Sequence, residues 1–251
     1  MAFDLSSIKA GRSTKKPRTT IYGDSGLGKT TFSCSAPSPI VIMTEDGLGQ
    51  IDVPHFPLAK TFDDVLSAIG TLYTEQHDFQ SVVIDSLDWL EPMVWAETCL
   101  AHGKDSIESF GYGKGYIEAG AYWRQFLDGI TALRDDRDMW VILIAHSQII
   151  HYEDPLTAAY DSHSLKLHKR AAALVEEFSD VIGFAALKTL TIDEKKDSFT
   201  DKDAKRTRAK TTGERLLHLA PSPAFTAKNR YSLPPVMPLD WQAYQSSIEQ
   251  N

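Results

Sequence analysis

An octapeptide near the start of the chain, Gly23-Asp24-Ser25-Gly26-Leu27-Gly28-Lys29-Thr30, leaves few folds open. Gly23 and Gly28 have four residues between them, and Lys29 and Thr30 follow directly. That is the spacing of a phosphate-binding loop. The flanks fit as well: residues 18–22, Arg-Thr-Thr-Ile-Tyr, read as a short strand, and Thr31-Phe-Ser-Cys-Ser35 opens a helix. Glycines let the backbone bend until successive N–H groups converge on an anion. A helix N-terminus adds partial positive charge. On this reading the loop and Thr31 wrap the phosphates of a nucleotide, Lys29 reaches the β- and γ-phosphates, and the Thr30 hydroxyl ligates Mg²⁺. The plainer alternative is a chance glycine-rich turn, which would not need a strand before it and a helix after it.

A chain of 251 residues is long enough for one α/β domain with a sizeable core. Hydrophobic residues make up 42% and charged residues 24%, which excludes wholesale disorder. No apolar run reaches the length of a membrane span, and the N-terminus lacks a signal-peptide core, so a cytoplasmic protein with no membrane partner is expected. Cys34 and Cys99 fit no metal spacing and read as reduced thiols in helices. The net charge of −8 means that any nucleic-acid contact must come from local basic loops. Residues 1–16 read as an N-terminal arm, either a solvated tail or a segment whose Phe3 and Leu5 dock on a neighbouring subunit. Residues 17–251 read as a single core with a C-terminal extension.

Strands are expected at 39–44, 81–85, 139–145, 180–187 and 215–219, beside the one at 18–22. Helices are expected at 61–73, 91–102 with Pro92 in its first turn, 116–134, 171–178 and 240–248. Loops fill 103–115 (flexible), 147–169 (polar) and 193–213 (charged), with a possible hairpin start at 190–193 and a proline-rich turn at 232–238. Strands alternating with helices argue for a mostly parallel sheet flanked by helices, with ligands beyond the C-terminal strand ends. The phosphate loop, Glu45, Asp85 and His146 all fall at such ends.

Each of these has a chemical reading and a plain one. Asp85 closes the apolar run Val82-Val-Ile84, the pattern of a carboxylate that holds Mg²⁺ opposite Thr30; alternatively it opens a helix cap, Asp85-Ser86-Leu87-Asp88. Glu45, with Asp46 as runner-up, is the candidate that orients water toward the γ-phosphate; alternatively Glu45-Asp46-Gly47 is a surface turn. His146 could contact the γ-phosphate and pass the signal to the next loop, or be a hydrogen-bonded strand-end histidine.

Taken together, Gly23–Thr30, Thr44-Glu45-Asp46, Val82-Val-Ile-Asp85-Ser86 and the polar residue after Leu143-Ile-Ala resemble the RecA/recombinase core. The closest likeness is to small phage-encoded RecA-fold ATPases linked to single-strand annealing and recombination, over roughly residues 17–240. The resemblance implies a core strand order of 5-1-4-3-2, ATP and Mg²⁺ as ligands, and a filament or ring with ATP between subunits. It further implies single-stranded DNA and a single-strand-binding protein as partners, in the host-cell cytoplasm if the protein is phage-encoded. Two DNA-binding loops fall at 103–115, with Lys104, Phe110, Tyr112 and Lys114, and at 147–169, with Tyr152, Tyr160, Lys166, His168 and Lys169. Rings stack on bases while cations meet phosphates. Lys228 and Arg230 are similar to the family's Lys-x-Lys element, which reaches the neighbour's nucleotide; Arg at the second position departs from the RecA version but keeps its charge. Lys202, Lys205, Arg206, Arg208 and Lys210 form a basic tongue diluted by Asp197, Asp201 and Asp203. RecA's larger C-terminal domain has no counterpart here, which favours ATP-dependent DNA binding or annealing over strand exchange. The rival readings are a P-loop kinase or helicase-type motor, and a non-catalytic nucleotide-gated assembly protein.

Overall fold

The computed structural model describes residues 4, 11, 15–153, 158–195 and 205–250, with backbone only for 191–195 and 205–210. At its centre lies β1 (Arg18–Gly23). β4 (Trp140–Tyr152) and β6 (Val181–Lys195) run parallel to it on either side. β3 (Ser81–Asp85) and then β2 (Pro39–Met43) extend the sheet beyond β4. β7 (Lys205–His218) and β9 (Val236–Pro238) extend it antiparallel beyond β6, while β8 (Lys228–Asn229) also pairs with β6. The order is β2-β3-β4-β1-β6-β7-β9. Its parallel part, numbered as five strands along the chain, reads 5-1-4-3-2, as the resemblance implied.

The near-continuous apolar runs in β2, β3 and β4 follow from cover on both faces. Val82, Ile84, Val141 and Leu143 pack under α2 (Phe62–Thr74), α3 (Leu87–Ala101), α4 (Lys114–Arg137) and α5 (Lys169–Phe178). Val83, Ile142 and Ile144 point the other way, toward α1 (Lys29–Cys34) and α6 (Trp241–Glu249). α2 starts in a capping box between Thr61 and Asp64, and its apolar positions Phe62, Val65, Ile69 and Leu72 are buried at helical spacing. α6 is capped by Asp240 and seats Trp241 edge-on against Trp140, so the C-terminal residues finish the second face.

Several expectations change. α3 begins at Leu87 rather than residue 91, because Leu87 and Leu90 are fully buried and draw the helix back to the end of β3; Pro92 therefore lies inside it. Within 147–169, residues 147–152 and 160–165 are strand rather than loop. β4 runs on to Tyr152 and pairs antiparallel with β5 (Tyr160–Leu165), from Ser147 opposite Leu165 to Tyr152 opposite Tyr160. Its inward residues include Ser162 and Ser164, so no apolar run marks the strand. In the charged stretch 193–213, the described residues 193–195 and 205–213 belong to β6 and β7, which pair as far as Lys195 opposite Lys205. A polar ladder such as Glu194 opposite Arg206 gives no hydrophobic signal. In 103–115, Ile107–Phe110 forms a turn of 3-10 helix with Ile107 buried, and α4 starts at Lys114 rather than 116. The proline-rich turn contributes β9. No helix among the described residues is long and apolar enough to cross a membrane.

Candidate nucleotide site

β1 delivers the chain to Gly23, where a Cβ would lie 2.4 Å from the carbonyl oxygen of Ala185 on the neighbouring strand; only glycine fits. The loop then turns through Gly26 and Gly28, both in the left-handed region at φ 77° and 89°. Lys29 opens α1 with its side chain folded back into the loop. Its ammonium donates to the carbonyls of Gly23 at 2.9 Å and Asp24 at 2.8 Å. Burial draws the Lys29 pKa below its ordinary value, against the pull of Asp85, Asp88 and Glu45.

Beside the loop, the Thr30 hydroxyl donates to Asp85 Oδ2 at 2.7 Å. Asp85 is only 4% exposed, and burial raises its pKa against the Thr30 bond and the Lys29 charge. The ends of β2 and β3 are locked together. Thr44 N–H donates to the Asp85 carbonyl at 2.8 Å, the Thr44 hydroxyl donates to the Ser86 carbonyl at 2.6 Å, and it accepts the Ser86 N–H at 2.8 Å. This lock sets Glu45, the next residue, on the same rim. The Glu45 pKa is raised, first by burial and then by Asp85 and Asp88, with His146 opposing.

His146 stands opposite Gly23 in the β1–β4 register. Its backbone N–H and its Nδ1 both bond the carboxylate of Asp88, at 3.0 Å and 2.9 Å. The hydrogen bond to Asp88 raises the His146 pKa above its ordinary value, with burial opposing. Asp88 moves the other way: burial works against its charge, but the bonds from His146 hold its pKa below the usual carboxylate range. The raised histidine adds stability that is full below about pH 6.5 and is lost as pH rises through the higher folded value. The depressed carboxylate adds stability that is full above about pH 4 and is lost as pH falls through its lower folded value. Asp88→Asn is therefore expected to lower the His146 pKa, read by NMR titration, and to cost about 1.5–3 kcal/mol of stability. An unmoved histidine titration would show that the pair is not coupled.

Ser25, Gly26, Gly28, Lys29, Thr30, Thr31, Glu45, Asp46, Asp85, His146 and Arg215 line one cleft of about 520 Å³. Two residues of the site were not legible in the sequence. Asp88 looked like part of a helix cap, although a second carboxylate three residues after Asp85 was a usable signal. Arg215 is far away in sequence and arrives only because β7 folds back beside β6.

The candidate DNA residues are dispersed in character. Phe110 packs on the core and edge-on against His102, with the Lys104 ammonium 5.9 Å from its ring, so it is not free to stack on a base. Tyr112, between Gly111 and Gly113, is fully exposed, and Lys114 is exposed two residues further on. Lys166 and Lys169 are exposed; Lys166 Nζ lies 3.9 Å from Asp88. The His168 ring stacks on Tyr116 at 3.9 Å, and its backbone N–H is held by both oxygens of Glu91 at 3.0 Å. Burial pushes Glu91 up to about 7, with the His168 bond opposing. The Tyr116–His168 stack thus brings the two candidate segments side by side. The side chains of Arg206 and Arg208 lie outside the described residues.

Lys228 and Arg230 stand at the opposite end of the strands from the cleft, beside the start of β6. The Lys228 ammonium donates to the carbonyls of Glu176 and Glu177 at the end of α5. Arg230 joins Arg18 and Arg134 around Asp180, whose pKa falls below its usual range because these bonds outweigh burial. Within one chain neither cation reaches the cleft.

A phosphate loop after the first of five parallel strands, with carboxylates on the same rim, is the arrangement of a P-loop nucleotide-binding domain. A family model described as an AAA domain matches residues 15–231, and the chain belongs to that family. Among solved structures the chain is similar to one titled crystal structure of the RadB recombinase. The TM-score is 0.42 at 14% identity, covering 77% of this chain and 87% of that one. No curated protein sequence matches.

Proposed function

We propose that this chain binds Mg·ATP in the cleft, hydrolyses it, and uses the cycle to control its grip on single-stranded DNA. The observation that carries the reading is the convergence of the phosphate loop, Thr30–Asp85, Glu45 and His146 on one rim. Loop N–H groups and Lys29 bind the phosphates. The donor set fits magnesium, a hard cation that takes oxygen ligands: a buried carboxylate and a hydroxyl 2.7 Å apart. Thr30 and Asp85 would hold that ion, which supplies positive charge against the phosphate oxygens. Glu45 orients and deprotonates the attacking water, and its raised pKa brings it nearer the range of a working base. His146, clamped by Asp88, faces the γ-phosphate side.

The DNA half of the reading rests on placement. β4 passes from His146 directly into the β4–β5 hairpin, and the Ser147 hydroxyl donates to the Asp24 carboxylate in the phosphate loop. Tyr112, Lys114, Lys166 and Lys169 supply an exposed ring and cations on neighbouring segments, the pairing that suits single strands. In an oligomer, Lys228 and Arg230 of one subunit act on the nucleotide of the next. The test is phosphate release with and without single-stranded oligonucleotide. Stimulation of about tenfold is expected, reduced by Tyr112→Ala. Turnover indifferent to DNA would remove the DNA half and leave the ATPase; phosphate delivered to a small-molecule acceptor would make the protein a kinase.

A further inference from the structure

We infer that Arg215 is a nucleotide-contacting residue supplied in cis, which closes the phosphate loop from the flank opposite Asp85 and bonds the phosphates that are not transferred. The inference rests on the nucleotide reading above. Asp85 ends β3, two strands to one side of β1; Arg215 lies on β7, two strands to the other side. Its backbone is fixed: the residue stands opposite Leu187 of β6, and its carbonyl accepts the Leu239 N–H at 3.0 Å. The β6–β7 register shifts between Leu187 and Thr189, and Gly213 has φ 83°. A bulge of that kind bends a strand and re-aims the side chains next to it.

The guanidinium is aimed at Gly28. A Cβ on that glycine would lie 2.7 Å from Arg215 Nη1, and the arginine lines the same cleft as Lys29 and Thr30. Among the described residues it has no hydrogen-bond or ion-pair partner for its side chain. The adjacent Glu214 is taken by Lys188 at 2.9 Å. Asp85, across the loop, accepts from Thr30. A cation held beside an anion-binding backbone without a carboxylate partner meets phosphate oxygens, and the guanidinium fork matches them in pairs. The backbone N–H groups of a phosphate loop cradle the inner phosphates, so a cation beside Gly28 is assigned to those rather than to the γ-phosphate. Arg215 therefore strengthens ground-state binding of ADP and ATP alike.

The experiment is calorimetric titration of the full-length protein with Mg·ADP and a non-hydrolysable Mg·ATP analogue, for wild type, Arg215→Ala, Arg215→Lys and Lys29→Ala. Arg215→Ala is expected to weaken both ligands by roughly tenfold to a hundredfold, with Arg215→Lys in between. Turnover at saturating ATP stays within about threefold of wild type, as for loss of uniform binding. The side chain is exposed, so the thermal midpoint should not move. Unchanged affinities in Arg215→Ala, in a protein whose binding does depend on Lys29, would overturn this inference alone. Retained ADP affinity with a turnover loss beyond about tenfold would move Arg215 to the γ-phosphate and overturn the assignment to the inner phosphates. Wild type that binds neither ligand would remove the nucleotide reading itself, and the inference with it.

Discussion

Lys29→Ala is expected to abolish nucleotide binding and turnover together, each by more than a hundredfold. The side chain is 6% exposed and makes two bonds to loop carbonyls, so it braces the loop as well as carrying its charge. In the bound state the ammonium turns from those carbonyls to phosphate oxygens, where a charge-assisted bond is roughly twice as strong as a neutral one. Alanine removes both functions. It also leaves the Gly23 and Asp24 carbonyls short of a donor, at about 1–3 kcal/mol for each one that stays buried. A drop in melting temperature should therefore accompany the loss of binding. Lys29→Arg separates the effects: it keeps the charge and disturbs the fit, since the two cations are not interchangeable. Calorimetry with Mg·ADP and a phosphate-release assay make the check. Full activity in Lys29→Ala would remove the central assignment.

Glu45→Gln carries the second large effect and the opposite signature. The substitution keeps size and hydrogen bonding but loses the base. Turnover should fall by about 10²–10⁴, the usual contribution of a positioned general base. Binding should hold or tighten slightly, because a carboxylate leaves the neighbourhood of a triphosphate. The electrostatics favour Glu45 over Asp46: Glu45 is half-buried with a raised pKa beside Asp85 and His146, whereas Asp46 is exposed. Asp46→Asn should therefore leave turnover within a few-fold of wild type. Parallel loss of binding and turnover in Glu45→Gln would give Glu45 a structural role, unchanged turnover would remove its role as the base, and ATP binding with no turnover in either wild type or Glu45→Gln would favour a nucleotide-gated protein without hydrolysis.

What the sequence revealed was the part of the molecule governed by local rules. Gly23–Thr30 has a backbone requirement that few sequences meet, and the apolar runs ending at Met43, Asp85 and His146 declare parallel strands covered on both faces. Their common direction alone puts Glu45, Asp85 and His146 on one rim. What stayed hidden depends on distant pairing. The β4–β5 and β6–β7 hairpins carry serines and charges where an apolar signal is needed. Asp88 finds its partner only when α3 begins at Leu87 and meets β4. Phe110 looked available as a base-stacking ring, yet the chain around it folds back onto the core. Arg215 reaches Gly28 by way of a strand that returns about 190 residues later in the chain, a contact that no spacing rule encodes.

A crystal structure grown with magnesium and a non-hydrolysable ATP analogue bears on the account most directly. The expected result is density for the triphosphate inside the curve from Gly23 to Thr30, with the metal between Thr30 and Asp85 and the Glu45 carboxylate turned toward the terminal phosphate. Analogue bound elsewhere, or Glu45 and Asp85 directed away from it, would contradict the account.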